Sequence, residues 1–234
     1  MKIKRHIIYI LLGTAFFATK VQAQIVITTP YEFALGVSGG ATFSSVSFVP
    51  RVPQNKRKGT TFGLTGRMTM GKNVGLQLEL NYAQQGWKEK FELPEGEEAN
   101  TAAQKDYRYN RLLNSIQLPF YTRVQFGGKT VKGFVQAGPQ IGYIFSESTD
   151  ENLNGEHLAG RVSTQHDLAV QKPFEWGISG GGGIEIRTAI GYFLLEGRYL
   201  YSLGDIYNTR REDPFAKASG QIFTTKLSYL IPMR

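Results

Sequence analysis

The sequence contains no cysteine and, after its first two dozen residues, no long apolar run. Without cysteine the chain can form neither a disulfide framework nor a lipid-anchored leader, so an exported domain must be stabilised by other interactions. No later segment approaches 18 consecutive apolar residues, which argues against membrane-spanning helices. Histidine is scarce as well, with three in 234 residues. Few side chains could therefore act as a general base near neutral pH.

The first 23 residues have the three parts of a secretory signal peptide. Lys2, Lys4 and Arg5 form a positive start, residues 7–17 are mostly apolar, and Val-Gln-Ala precedes Gln24. A retained N-terminal anchor is the alternative, although the apolar run is short for a membrane-spanning helix. We expect cleavage after Ala23, which leaves one domain over residues 24–234.

The predicted leader also accounts for much of the positive charge. The whole chain carries a formal net charge of +8, and Lys2, Lys4, Arg5 and Lys20 contribute four of these charges without any acidic residue beside them. The mature chain is left with +4. That modest excess does not predict a nucleic-acid partner.

Much of the mature chain alternates between apolar and polar residues. Between positions 74 and 82 the even residues are Val74, Leu76, Leu78, Leu80 and Tyr82, and the odd ones are glycine or polar. A period of two is typical of a strand that separates two different environments. Eight segments fit this description, at about 33–47, 60–70, 74–87, 109–126, 131–146, 174–187, 191–203 and 220–232.

The connections between these segments are alternately short and long. Short joins fall at 71–73, 127–129 and 188–191, and long polar stretches at about 49–59, 88–108, 147–172 and 204–219. This asymmetry predicts an all-β fold, an eight-stranded antiparallel transmembrane β-barrel in the outer membrane, with short periplasmic turns and long extracellular loops. A soluble ligand-binding barrel is the alternative, but it would place its apolar residues inside.

Charged residues recur on the polar face of the alternating segments. The set predicted to form a polar network inside the barrel is Arg67, Glu79, Arg123, Glu185, Glu196, Arg198 and Lys226. Such residues could line a selective channel or could fill the lumen as mutually neutralising pairs. Eight strands enclose a space that side chains can fill, so the pattern favours the filled lumen.

Two further motifs suggest chemistry only at first sight. The run Gly180 to Gly183 resembles a phosphate-binding loop, but it lacks the following Lys-Ser/Thr and falls inside a strand. We interpret it as a place where a barrel strand bends and an aromatic ring lies against the backbone.

His157, His166 and Asp167 would need the fold to bring them together before they could act. The sequence predicts no catalytic residues, no metal site and no cofactor.

The predicted extracellular loops are rich in charge. The first is basic (Arg51 and 56–58), the second contains an acidic run between 92 and 98, and the fourth contains Arg-Arg-Glu-Asp at 210–213. Charge runs of this kind are usually a solvated surface. They could also bind lipopolysaccharide or an envelope protein, which, together with the lipid of the outer membrane, are the partners we expect.

Two central segments resemble a known family. Residues 114–121 (NSIQLPFY) and 134–143 (FVQAGPQIGY) are similar to strand motifs of the PorT-like outer-membrane β-barrel proteins of Bacteroidetes, and the sixth and seventh strands fit as well. The resemblance implies an outer-membrane barrel, often labelled porin-like, over residues 33–234. The namesake of the family is a component of the type IX secretion system, and the resemblance implies no catalytic residues.

The sequence therefore predicts a non-enzymatic outer-membrane barrel with a structural or interaction role through its extracellular loops. A transport-associated role, as a narrow pore or a secretion-system component, is the first alternative. A small-barrel enzyme with a site at the outer rim is the second.

Overall fold

A computed structural model describes residues 31–90, 108–152 and 168–233. The predicted leader at 1–23 lies outside the described residues, as do His157, His166, Asp167 and the acidic run of the second loop. The described residues form eight strands: β1 Tyr31–Val49, β2 Gln54–Met70, β3 Val74–Glu89, β4 Arg108–Gly127, β5 Val131–Asn152, β6 Phe174–Thr188, β7 Gly191–Asp205 and β8 Lys217–Met233.

The eight strands form one closed antiparallel ring. Each strand pairs with the next along the chain, and β1 closes the ring by pairing with β8, with Phe33 opposite Met233 and Val49 opposite Lys217. The predicted fold is therefore confirmed. Closure leaves no strand edge with unpaired backbone groups, which is what a lipid environment demands. The described residues contain no helix long and apolar enough to cross a bilayer.

The outer surface of the ring is apolar. Leu78, Leu118, Phe120, Leu195 and Leu227, which the alternation places on the lipid side, are all exposed on the isolated barrel. The neighbouring positions on the polar face are buried, as Gln77 and Glu79 show on either side of Leu78. The strands have 15 to 22 residues and so exceed the roughly 9–11 that cross a bilayer.

We expect an arginine at Leu78 to be far more costly than an arginine higher on the same surface. Leu78→Arg places a charge in the middle of the lipid face and should lower the free energy of unfolding by about 2–4 kcal/mol. Thr60→Arg is the control, because Thr60 is exposed near the outer end of β2, where the cost falls to about 0–1 kcal/mol. Reversible unfolding in lipid vesicles measures both, and equal costs would contradict the assigned lipid face.

The first connection is shorter than the sequence suggests. The sequence predicts a long loop over residues 49–59, but β2 begins at Gln54 and residues 50–53 alone join it to β1. The loop assignment was therefore wrong for the basic residues at 56–58, which lie on the strand. Outside the bilayer both faces of a strand can be polar, so the apolar alternation that marks a strand is absent there. For the same reason the alternation does not reveal the outer part of β5, which extends to Asn152, beyond the predicted end at 146.

The glycine run lies within β6, where atoms of the neighbouring strands approach its backbone closely. A Cβ at Gly181 or Gly183 would collide with the backbone of β7, and at Gly183 it would also lie 2.9 Å from Cζ of Phe134. The Phe134 ring thus occupies the space that the missing side chain leaves. The position of the run within a strand and the aromatic ring against its backbone are confirmed.

Candidate functional site: the filled lumen

Glu79 is the centre of a polar network in the middle of the lumen. Its Oε2 accepts hydrogen bonds from Arg198 Nη2 and Lys226 Nζ, each at 2.8 Å, and from Asn81 Nδ2 at 2.8 Å. Its Oε1 accepts a hydrogen bond from Gln77 Nε2 at 2.6 Å. These side chains come from β3 and, across the ring from it, from the neighbouring strands β7 and β8. One buried carboxylate is thus matched by two cations and two amides.

Arg198 extends this network towards β4 and β6. Its Nη1 donates to the Tyr121 hydroxyl at 3.2 Å, and that hydroxyl lies 2.8 Å from Ser179 Oγ. The second acid of this layer is Glu196, which lies 3.7 Å from Arg198 and accepts a hydrogen bond from Gln136 Nε2 at 3.0 Å. A single arginine therefore connects two carboxylates, and the polar layer spans the full width of the barrel.

A second network lies nearer the end with the short turns, the periplasmic end in barrels of this type. Glu185 on β6 pairs with Arg67 Nη1 and Arg123 Nη2, each at 2.5 Å, and with Arg187 Nε at 2.7 Å. Arg187 in turn lies 3.5 Å from Glu32. The structure places all seven residues of the predicted polar network inside the barrel and joins them in these two groups. Arg187 and Glu32 belong to the second group and were not in the predicted set.

The outer mouth is closed by apolar side chains that the sequence reasoning missed. Phe48, Trp87, Tyr207 and Phe215 pack ring against ring, with Phe48 and Phe215 centroids 4.7 Å apart. Around these rings lie the buried residues Val46, Tyr109, Leu113, Ile144, Ile206 and Ala218. We call this group the aromatic cap. Tyr207 and Phe215 belong to the β7–β8 connection, which therefore folds back into the barrel mouth.

Polar contacts hold the segments around the aromatic cap in place. Arg111 pairs with Glu147 at 2.6 Å and donates to the Leu168 carbonyl at 2.8 Å, while the Val170 amide donates to Glu147 at 3.1 Å. Burial raises the pKa of the Tyr207 hydroxyl above its ordinary value, so this group stays neutral within the apolar layer. The described part of the β5–β6 connection is thus tied to the barrel wall.

Glu175 lies directly beneath the aromatic cap and was also missed. Its Oε2 accepts a hydrogen bond from Gln85 Nε2 at 2.6 Å. Among the described residues no cation forms an ion pair with it, in contrast to Glu79 and Glu185. At the opposite end a small apolar group of Ala34, Phe134, Tyr192, Leu194 and Leu230 packs inside the barrel.

Two voids of about 10 Å³ lie inside the barrel, one beside Arg198 and Gln140 and one beside Glu175 and Gln85. Each has room for about one water molecule. In the part of the chain that the structure describes, no group of three or more acidic or histidine side chains could hold a metal ion.

A family model for the outer membrane protein beta-barrel domain matches residues 22–208 of this chain. The chain belongs to this family. It is therefore an outer-membrane β-barrel protein, as the closed ring and its apolar outer face also indicate. No curated protein matches the sequence significantly.

Several solved outer-membrane barrels are similar to this family member. OprG from Pseudomonas aeruginosa is 12% identical with a TM-score of 0.48, and the match covers 87% of this chain and 97% of that one. Neisserial surface protein A is 15% identical with a TM-score of 0.42, covering 84% and 97%. The outer membrane enzyme PagL is 14% identical with a TM-score of 0.41, covering 86% and 99%. At this level of similarity nothing about binding or catalysis transfers from these proteins.

Proposed function

We propose that this protein is a non-enzymatic, non-conducting barrel that interacts with its surroundings through its outer rim. The observation that carries this proposal is the filled lumen, in which two ionic networks lie below the aromatic cap and the inner apolar group packs among the side chains of the second network. A barrel filled in this way offers no continuous aqueous path. Its remaining surfaces are the lipid face and the two rims, and any interaction must use them.

The outer rim carries lysines just above a row of exposed aromatic rings. Lys56 and Lys58 on β2 and Lys88 on β3 are exposed, and the two strands pair here with Asn55 opposite Lys88. Below them the rings of Phe62 and Tyr82 lie 4.8 Å apart on the outer surface. Aromatic belts mark the level of the membrane interface. These lysines are therefore at the height of lipid headgroups.

A phosphate-bearing lipid of the lipopolysaccharide type is the partner that this arrangement favours. Each lysine near an anionic lipid surface contributes about 1 kcal/mol of attraction. Lys217 on β8, two strands from β2 around the ring, extends the pattern, and its Nζ lies 3.2 Å from the Tyr201 hydroxyl. Envelope proteins remain a second kind of partner, through segments 91–107 and 153–167, which lie outside the described residues.

We expect the triple variant Lys56→Gln/Lys58→Gln/Lys88→Gln to lose about 3 kcal/mol of binding free energy for lipopolysaccharide, one for each lysine. Titration of the detergent-solubilised protein with lipopolysaccharide measures this loss. Lys129→Gln is the matched control, because Lys129 is an exposed lysine in the β4–β5 turn at the opposite rim. Equal affinity of the triple variant and the wild-type protein would contradict the lipid partner.

Transport is the alternative function, as a narrow pore or as a secretion-system component of the kind that the PorT-like resemblance implies. That closer family relationship rests on the strand motifs at 114–121 and 134–143, and the cleaved leader over 1–23 rests on its charge and apolar pattern. The filled lumen disfavours the pore. The absence of enzymatic activity is itself proposed. The structure does not test it, because the two candidate general bases, His157 and His166, lie outside the described residues.

A further inference from the structure

The network around Glu185 contains more positive than negative charge. Three guanidinium groups, from Arg67, Arg123 and Arg187, share this one carboxylate. Lys132 is the register partner of Glu185 on the neighbouring strand β5 and adds another cation. Glu32 is the second acid, and it pairs with the outermost arginine, Arg187, at 3.5 Å. By contrast, the cations around Glu79 and Glu196 are matched by acids.

Several N–H groups of this network lack an acceptor among the described residues. They are Nε of Arg67, Nε and Nη1 of Arg123, and Nη2 of Arg187, and all of them are buried. The faces of the guanidinium groups are covered by aromatic rings, since Arg123 lies 3.4 Å above Phe134 and Arg187 lies 4.6 Å from the Tyr192 centroid. A ring face attracts the charge but offers no acceptor in the plane of the N–H groups. Buried donors without acceptors are costly, so an acceptor is expected here.

The side chains become more exposed towards the periplasmic mouth. Arg67 and Arg123 are 1% exposed, whereas Arg187 is 17% and Glu32 34% exposed. A small solute can therefore reach the exposed parts of Arg187 and Lys132 from the periplasmic side, while the buried, unpaired N–H groups and the deeper arginines lie behind them. We propose that this periplasmic vestibule, formed by Arg67, Arg123, Lys132 and Arg187, binds a small soluble oxyanion such as inorganic phosphate. Guanidinium forks match the oxygen geometry of phosphate and carboxylate, and charge-assisted hydrogen bonds of this kind are strong.

Glu32 opposes this ligand and gives the proposal a specific signature. Its carboxylate lies on the exposed side of Arg187, and its Oε1 also lacks a hydrogen-bond partner among the described residues. Glu32 therefore competes with the oxyanion for Arg187. Removal of Glu32 should strengthen oxyanion binding, whereas removal of Arg187 should weaken it. A merely structural role of these residues would not produce opposite changes in affinity.

The test is a phosphate titration of the full-length protein in an uncharged detergent, with ionic strength kept constant by chloride. Calorimetry or the thermal unfolding midpoint reports binding. Loss of a charge-assisted hydrogen bond should weaken phosphate binding about tenfold or more in Arg187→Gln. Glu32→Gln should bind phosphate more tightly than the wild-type protein. Lys129→Gln, which removes an exposed lysine from the same rim, should bind like the wild-type protein.

Three results would overturn the proposal. Phosphate that stabilises the wild-type protein no more than chloride does would show that water alone satisfies these donors. An equal loss in Lys129→Gln and Arg187→Gln would show a general charge effect of the rim. Binding that appears only after phosphatidylglycerol is added to the detergent would identify a lipid headgroup as the ligand. None of these results bears on the lysines of the outer rim, which lie at the other end of the barrel.

Discussion

Replacement of Glu185 by glutamine should destabilise the folded barrel by about 3–5 kcal/mol, the cost of breaking a buried ion pair by removing one partner. Glutamine keeps the size of the side chain but leaves Arg67 and Arg123, both fully buried, without their shared carboxylate. Three guanidinium groups would then repel one another, and two of them, Arg67 and Arg123, are shielded from bulk water. Equilibrium unfolding by urea in lipid vesicles gives the change in free energy.

Asp150→Asn is the control for this substitution. Asp150 pairs with Arg108 at 3.1 Å, but both side chains are more than half exposed near the outer rim. A surface pair of this kind contributes about 0–1 kcal/mol. A further variant, Glu185→Gln/Arg123→Gln, should recover part of the lost stability, because it removes one of the unpaired cations. Similar costs for Glu185→Gln and Asp150→Asn would refute the idea that the inner network stabilises the barrel.

The purified wild-type barrel should show no steady ion current in a planar bilayer. The aromatic cap, the Glu79 network and the Glu185 network all fill the lumen, and the voids beside Arg198 and beside Glu175 have room for about one water molecule each. Arg198→Ala should also remain closed at low voltage, although it removes the arginine that connects Glu79, Glu196 and Tyr121. The reason is that the aromatic cap and the Glu185 network do not depend on Arg198.

The recordings of the wild-type protein and of Arg198→Ala distinguish a filled lumen from an open one and identify the network that blocks the current. A steady, ion-selective current through the wild-type protein would contradict the filled lumen and support the pore alternative. A current in Arg198→Ala alone would show that the central network is the actual barrier and that the cap and the Glu185 network leak. Fluorescence of Trp87 and Trp176 in the same preparation verifies that both proteins have inserted and folded.

The alternation of the sequence predicts the strands well because the bilayer acts on every second residue. Leu78 and Glu79 must face opposite environments, and a shift of one residue would place the charge in lipid. The positions of the eight strands and the inward direction of the charges follow from this constraint. Which acid pairs with which base does not follow, because Glu79 and Lys226 are distant in sequence and meet only after the ring has closed.

The alternation does not predict the aromatic cap, because the apolar residues change from the outward face to the inward face of the strands above the bilayer. In β4 the apolar residues Ile116, Leu118 and Phe120 point outward, whereas Tyr109 and Leu113, on the other face of the strand, are buried inside. Outside the lipid the outward face meets water, so apolar side chains are more stable in the lumen. The signal in the sequence is this change of face within one strand, together with polar residues such as Asn110 and Asn114 on the outward positions.

The ionic networks also determine the order in which the barrel can be built. Glu79 and Arg198 are 119 residues apart in the chain, Arg67 and Glu185 118, and Glu79 and Lys226 147. Contacts between such distant residues form late and make folding slow. A partly assembled sheet would expose unpaired glutamates and arginines to hydrocarbon as well as its two open edges. The last strand, β8, supplies both the final edge and the ammonium group of Lys226. The membrane-inserted state therefore becomes stable only when the C-terminal strand arrives, and the chain must reach the bilayer complete before any part of it can settle there.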